Sequence, residues 1–170
     1  MKNIALTISV AFFVAAPSSA ALAETASGVV RVKSTVLSAC AYEAGGDDVL
    51  IDFGIYNGQV GEATVPAGSG IRFTCTEGTP YQVGLDLGSF PQLPFRTMQT
   101  PGDPSPSRQI LYRIYRPGTF FDWGDDQGND TVDGVGTGQP IELLPRGFID
   151  RKQVVEPGDY SDTVVMSLYF

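Results

Sequence analysis

Glycine and proline recur so densely along this chain that a long helix has no room to form. There are 20 glycines and 12 prolines in 170 residues, and both residue types weaken or end helices. Between them, apolar and polar residues alternate, which is the pattern of half-buried strands. The alternation is clearest in residues 71–76, 81–87 and 110–116. With about seven short strands separated by turns, the pattern predicts an all-β fold, an antiparallel β-sandwich or small barrel.

Other segments carry the same signal in weaker form. Residues 30–40, 49–53, 141–144 and 163–170 are also predicted to form strands, with alternate apolar side chains on one face. The prolines between residues 90 and 107 forbid a continuous strand there, because proline lacks a ladder donor. Residues 120–140 are rich in glycine and aspartate and are expected to form a loop.

Charge and composition exclude several classes of function. The chain has 11 basic and 19 acidic side chains, a net charge of −8, so a nucleic-acid backbone would be repelled. It has no histidine, which removes the commonest general base and metal ligand. The carboxylate pairs Asp47/Asp48 and Asp125/Asp126 lie in apparent turns, and adjacent residues seldom converge on one bond. We therefore assign no catalytic residue and predict no enzyme.

Residues 1–23 have the pattern of a secretory signal peptide. Lys2 precedes an uncharged, mostly apolar run over residues 4–16, and small residues follow at 20–23. The run is shorter than the roughly 20 residues that a membrane span needs, so no membrane insertion is expected. A buried N-terminal helix is the alternative. Cleavage after Ala23 would leave ten basic and nineteen acidic side chains, a charge of −9.

The predicted export bears on the state of the two cysteines. Cys40 and Cys75 are the only cysteines, and an even count in an oxidising compartment favours a structural disulfide. Two free buried thiols are the alternative. Two cysteines without histidine make a zinc site improbable, and we predict no metal and no cofactor.

The acidic stretch 122–134 invites a calcium hypothesis. Its spacing fails the EF-hand template, because position 12 falls on Pro140 where a glutamate is needed. A solvated loop is the preferred interpretation. Trp123 is predicted to be a packing anchor, forming a local cluster with Phe120 and Phe121, with a sugar platform as the alternative.

Six short motifs, in one order, resemble the spore coat protein U domain, which also forms the subunits of archaic (Csu-type) chaperone–usher pili. They are Phe53-Gly54-Ile55-Tyr56, the stretch 71–81, Arg96-Thr97-Met98, Leu111-Tyr112-Arg113-Ile114-Tyr115, Trp123-Gly124 and the stretch 157–164. The resemblance covers nearly all of residues 24–170. Each motif is weak alone, whereas their order behind a signal peptide is fairly specific.

The resemblance implies an immunoglobulin-like sandwich that lacks its last strand, formed by residues 34–170. A periplasmic chaperone would fill the resulting groove until the N-terminal extension of the next subunit replaces it. Residues 24–33 would be that donor, inserting Val30 and Val32 into a neighbour. The groove would be lined by the last strand, through Val164, Met166, Leu168 and Phe170. A Cys40–Cys75 bridge would tie the first strand to the strand at 71–76, as is typical of the family.

The implied partners are identical or related subunits, the periplasmic chaperone and an outer-membrane usher, and the implied location is a cell-surface fimbria or the secreted fraction. Two alternatives stay open at this point. Residues 24–33 could complete the protein's own sheet. The protein could also be a monomeric secreted module that binds a carbohydrate or a cation through residues 120–134.

Overall fold

The computed structural model describes residues 24–58, 63–150 and 152–170. The predicted signal peptide lies outside the described residues. The chain divides into two compact units, Met1–Thr35 and Val36–Phe170. In the first unit, the described residues 24–35 form no helix or strand, and their side chains are exposed.

The second unit is a β structure. Its described residues form one 3₁₀ turn, Pro106–Arg108, and ten strands: β1 (Cys40–Tyr42), β2 (Ala63–Pro66), β3 (Ile71–Cys75), β4 (Pro80–Leu85), β5 (Arg96–Gln99), β6 (Gln109–Tyr115), β7 (Val132–Val135), β8 (Pro140–Leu143), β9 (Arg146–Ile149) and β10 (Met166–Tyr169). Within the described part of the chain, no helix has the length and apolar character that crossing a bilayer requires.

All strand pairs are antiparallel and belong to two layers. One layer is a four-stranded sheet in the order β2-β9-β6-β5. The other consists of the three-stranded sheets β1-β3-β8 and β10-β4-β7. These two sheets continue into each other, because the turns that join β3 to β4 and β7 to β8 are bonded together. Gly136 N donates to Thr79 O at 2.7 Å, and Gly78 N donates to Gly136 O at 2.9 Å.

The core lies between the two layers and follows from the alternation in the sequence. From β3 and β4 it takes Ile71, Phe73, Cys75, Tyr81, Val83 and Leu85; from β6 and β9 it takes Ile110, Tyr112, Ile114 and Ile149. Intervening residues such as Arg72 point outward. The predicted all-β, antiparallel sandwich is confirmed.

Several predicted elements need correction. Residues 30–40 and 49–53 alternate like strands, yet of these only Cys40 lies in a strand, and residues 30–39 and 49–53 form no ladder with any described residue. Conversely, β2, β5 and β9 lie where no strand was predicted, and β7 lies within the stretch 120–140 predicted as loop. These four strands are short and contain proline, glycine or charged residues, so their pairing partners define them more than their own pattern does.

The disulfide between Cys40 and Cys75 is present and connects β1 to β3. The two cysteines are directly opposite in the antiparallel register. Cys75 is completely buried. The alternative of two free thiols is therefore wrong.

Candidate functional site

A large open groove follows one side of the sandwich between its two layers. Its volume is about 1120 Å³. The inner wall consists of apolar core side chains from both layers: Ile71, Leu85, Met98, Ile110, Tyr112, Ile114 and Ile149. Apolar side chains open to a groove of this size are typical of a surface that another molecule covers.

One flank of the groove is the extended segment 47–58. Val49, Ile51 and Phe53 are partly buried and alternate with exposed neighbours, as in a strand with one apolar face. The Phe53 ring meets the Tyr112 ring edge to face, with 6.1 Å between centroids. The strand predicted for residues 49–53 is therefore right about which face is buried. It is not part of a ladder, since no described strand pairs with the segment.

The other flank is the segment 153–166. It is joined to β5 by a single bridge, in which Gln99 N donates to Ser161 O at 3.0 Å and Ser161 N donates to Gln99 O at 3.1 Å. Further along, Asp86 N donates to Val165 O at 3.0 Å, so that the chain crosses to the other layer and enters β10. The flank thus contacts both layers without forming a continuous strand.

The last strand brings part of the predicted lining to the groove. Val164 and Met166 line it. Leu168 is partly buried against the core and lies opposite Val83. Phe170 follows the end of β10 and is 62% exposed, so it does not line the groove. β10 pairs only with β4 among the described strands, which leaves its other edge without a ladder.

A hydrogen bond between β6 and the flank 153–166 lies within the groove lining, and no sequence pattern indicated it. Tyr112 Oη donates to Asp162 Oδ2 at 2.7 Å. Burial, reinforced by this hydrogen bond, raises the pKa of the Tyr112 hydroxyl well above its usual value. Asp162 Oδ1 also accepts from the backbone amides of Ser89 and Thr163, each at 2.8 Å. The Asp162 carboxylate is therefore held in one orientation.

The charged residues that line the groove are of one sign. Among the described residues, six acidic side chains line it and no lysine or arginine does: Asp47, Asp48, Asp52, Glu156, Asp159 and Asp162. Only Glu156 is in a salt bridge with a described residue, namely Arg108 at 2.7 Å. All except Asp162 are exposed. The apolar interior of the groove is thus accompanied by an excess of negative charge.

The motifs around Arg96 and Trp123 form a buried anchor in the fold. Trp123 is completely buried and donates from Nε1 to Val83 O at 2.7 Å. Arg96 Nη2 donates to the carbonyls of Leu85 and Trp123, at 2.7 and 2.6 Å. Burial lowers the pKa of Arg96. The interpretation of Trp123 as a packing anchor is confirmed, and its indole offers no exposed face to a sugar.

The expected cluster of Trp123 with Phe120 and Phe121 is wrong. Phe120 and Phe121 are 78% and 67% exposed. Their rings lie under guanidinium groups, with Arg146 over Phe120 at 4.4 Å and Arg116 over Phe121 at 5.4 Å. Trp123 packs into the core instead, because its backbone amide donates to Ile114 O and brings it under β6.

The acidic stretch 122–134 uses several of its carboxylates in local bonds. Asp130 Oδ1 accepts from Asp126 N at 2.7 Å, and Asp126 Oδ2 accepts from Asn129 Nδ2 at 3.1 Å. Asp125 Oδ1 accepts from the Tyr169 hydroxyl at 2.9 Å. Across residues 24–58, 63–150 and 152–170, no three His, Cys, Asp or Glu side chains are grouped closely enough to hold a metal ion.

The predicted donor residues lie in the first unit. Val30 and Val32 are each 88% exposed, and Arg31 and Lys33 between and after them are exposed as well. No strand among the described residues pairs with this segment.

Comparison with known proteins identifies what this architecture is similar to. The family model of the Spore Coat Protein U domain matches residues 26–167. Protein U of Myxococcus xanthus is 28% identical over 164 residues, which cover 89% of each chain. Among solved structures, the chain resembles the crystal structure of the CsuC–CsuE chaperone–tip adhesion subunit pre-assembly complex from the archaic chaperone–usher Csu pili of Acinetobacter baumannii. That match has a TM-score of 0.52 and 20% identity, and it covers 80% of this chain and 41% of the solved chain. At this identity the likeness bears on the fold alone.

Proposed function

This chain belongs to the Spore Coat Protein U domain family, and we propose that it is a structural subunit of a surface fimbria or coat that polymerises by donor-strand exchange. In this scheme residues 34–170 form the acceptor domain and residues 24–33 the donor of the next subunit. The joint is non-covalent. It needs no cofactor and no catalytic residue.

The observation that carries the proposal is the apolar groove next to β10, one edge of which pairs with no described strand. Core side chains such as Ile110 and Ile149 line a groove of about 1120 Å³. One flank of that groove, Val49 to Phe53, has the burial pattern of a strand and forms no ladder with the described residues. A strand inserted into the groove would pack its apolar side chains against the wall and add backbone pairing, which is the principle of β-augmentation. Left open, such an edge is an aggregation hazard.

The donor segment has the properties that the groove requires. In an extended conformation Val30 and Val32 lie on one face, and both are exposed. Ten residues span about 33 Å when extended. Each valine that enters an apolar site contributes roughly 1.5–3 kcal/mol. Together with a ladder of backbone bonds, this would make the joint slow to dissociate.

The partners follow from the same surface. An open groove has to be covered before assembly, and a periplasmic chaperone that lends a strand would do so. The solved structure with the similar fold is itself a complex of a chaperone with a pilus subunit. The Cys40–Cys75 disulfide fits passage through an oxidising compartment such as the periplasm. An outer-membrane usher would then deliver the chain to the cell surface.

A deletion of the donor segment tests the proposal. The full chain and a variant lacking residues 24–33 are each expressed in an oxidising periplasm together with a cognate chaperone. Electrophoresis of unboiled samples should show a ladder of oligomers for the full chain, which boiling converts to monomer. The deletion variant should copurify with the chaperone and form no ladder. A chaperone-independent monomer that the deletion destabilises would instead mean that residues 24–33 complete the protein's own sheet.

A further inference from the structure

The charges of the groove and of the donor segment are opposite. Within the part of the chain that the structure describes, the groove is lined by six carboxylates and by no basic residue. Arg31 and Lys33 are the only basic residues between Lys2 and Arg72. They fall within the ten residues that the proposed function assigns to the donor. The chain has an excess of acidic side chains. Two cations next to Val30 and Val32 therefore make the donor segment complementary in charge to the acidic groove.

We propose that the acidic groove selects a basic donor strand from a second copy of this chain, and that Arg31 and Lys33 of that copy steer its insertion. The inference rests on the proposed donor-strand exchange and adds what determines partner choice. Its occupant is residues 24–33 of another copy.

The alternation of an extended strand places these charges correctly. When Val30 and Val32 face the apolar wall, Arg31 and Lys33 point away from it. They then lie on the solvent-facing side, where Asp48 and Asp159 of the flanks are also exposed and form no salt bridge with a described residue. Apolar insertion and charge pairing therefore use opposite faces of the same strand, so neither interferes with the other.

Exposed charge pairs act mainly on the rate of encounter. A rim of one sign attracts a segment of the opposite sign and raises the association rate, while salt screens the effect. The same carboxylates repel acidic strands. The carboxylates on the flanks would thus favour the correct donor among the many exposed segments of a strongly acidic protein, before any side chain enters the groove.

The test measures the assembly rate of chaperone-bound, full-length subunits at 20 and 300 mM NaCl (chosen as roughly a low and a high ionic strength). The donor variant is Arg31→Gln with Lys33→Gln. Its matched control is Arg72→Gln with Lys152→Gln, which removes the same charge from two exposed residues that do not line the groove. The chaperone-bound groove is identical in all three proteins, so rate differences report on the donor.

The wild type and the control should assemble about 10-fold more slowly at the higher salt concentration. The donor variant should assemble slowly at both concentrations and show little salt dependence. The acceptor variant Asp48→Asn with Asp159→Asn should likewise lose most of the salt dependence. Combining donor and acceptor variants should add almost no further slowing, because each removes the same interaction.

Two results would overturn the inference while leaving donor-strand exchange intact. One is a ladder that forms at the same rate in the wild type and the donor variant at both salt concentrations. The other is an acceptor variant whose only defect is weaker copurification with the chaperone, which would assign the carboxylates to the chaperone. If the wild type forms no ladder at any salt concentration, the proposed function fails, and the inference fails with it.

Discussion

Tyr112 and Asp162 connect the core to one flank of the groove: the tyrosine hydroxyl on β6 donates a 2.7 Å hydrogen bond to the carboxylate in the segment that leads into β10. Both residues line the groove. The bond fixes the flank 153–166 relative to the core, and therefore helps to keep the groove open in a single shape.

Replacing Tyr112 with phenylalanine should lower the free energy of unfolding by about 1 kcal/mol, because one hydrogen bond to a carboxylate is lost. The loss of stability should be modest, since Asp162 keeps its hydrogen bonds from the backbone amides of Ser89 and Thr163. Denaturant unfolding of the subunit in its complex with the chaperone, compared with the wild-type complex under the same conditions, measures the difference. Tyr169→Phe is the control: its hydroxyl bonds to Asp125 in an exposed position, so its removal should change stability by less than about 0.5 kcal/mol. Equal losses in the two variants would contradict the role of Tyr112.

The raised pKa of Tyr112 predicts a loss of stability in alkali. The neutral hydroxyl is favoured in the folded state, so its contribution is complete below the unfolded pKa of about 10 and is lost as the pH rises above it. Each such tyrosine should lower the free energy of unfolding by about 1.4 kcal/mol per pH unit in that range. Unfolding curves between about pH 8 and 11.5, with tyrosinate absorbance followed in parallel, test this. The slope should be smaller in Tyr112→Phe, and an unchanged slope would contradict the prediction.

The disulfide closes a loop with a sequence separation of 35 residues. Replacing both Cys40 and Cys75 with serine should lower the free energy of unfolding by about 4 kcal/mol in the chain-entropy model. The physical reason is that the unfolded chain regains the conformations that the bridge forbids. A reducing agent should lower the denaturation midpoint of the wild type and leave the double variant unchanged. A variant as stable as the wild type would show that the bridge is not structural.

Gly147 leaves room for the groove flank. A β-carbon at this position on β9 would lie 2.5 Å from Ile51 Cγ2 and 2.6 Å from Phe53 Cζ. Gly147→Ala should therefore displace the segment 47–58, lower stability by about 1–3 kcal/mol and reduce the yield of oligomer ladder. Gly68→Ala is the control, because its new β-carbon would have its nearest neighbour, Leu50 O, at 3.7 Å. Equal ladders and equal stabilities would contradict this role of Gly147.

Sequence alternation predicted the central strands β3, β4 and β6 well, because each of them is paired with a strand on both sides. β3, β4 and β6 have buried side chains at every second position, and their alternation coincides with their ladders. β7 was missed because Asp133 and Gly134 break the apolar pattern. Its strand character derives from pairing with β4, where Val132 lies opposite Val83.

The segments that alternate without a ladder show that a sequence pattern reports one-sided burial and not backbone pairing. Val49, Ile51 and Phe53 alternate because one face of the segment is covered by the core. Backbone pairing needs a neighbouring strand, which no pattern within the segment can supply. The groove itself could be expected only from the family resemblance. It lies between the flanks 47–58 and 153–166, and no pattern within either segment indicates that no described strand lies between them. The Tyr112–Asp162 bond had no sequence signal, since the two residues are 50 positions apart.

Intermolecular photocrosslinking tests the central claim most directly. A photoreactive phenylalanine replaces Val32, and subunits carrying it are assembled together with isotope-labelled subunits that lack it. Mass spectrometry then identifies the crosslinked peptides. Donor-strand exchange predicts crosslinks from position 32 to labelled peptides that contain groove residues, such as Ile51 or Met166. Crosslinks confined to unlabelled peptides, or to labelled residues on the outer face such as Phe148, would contradict it.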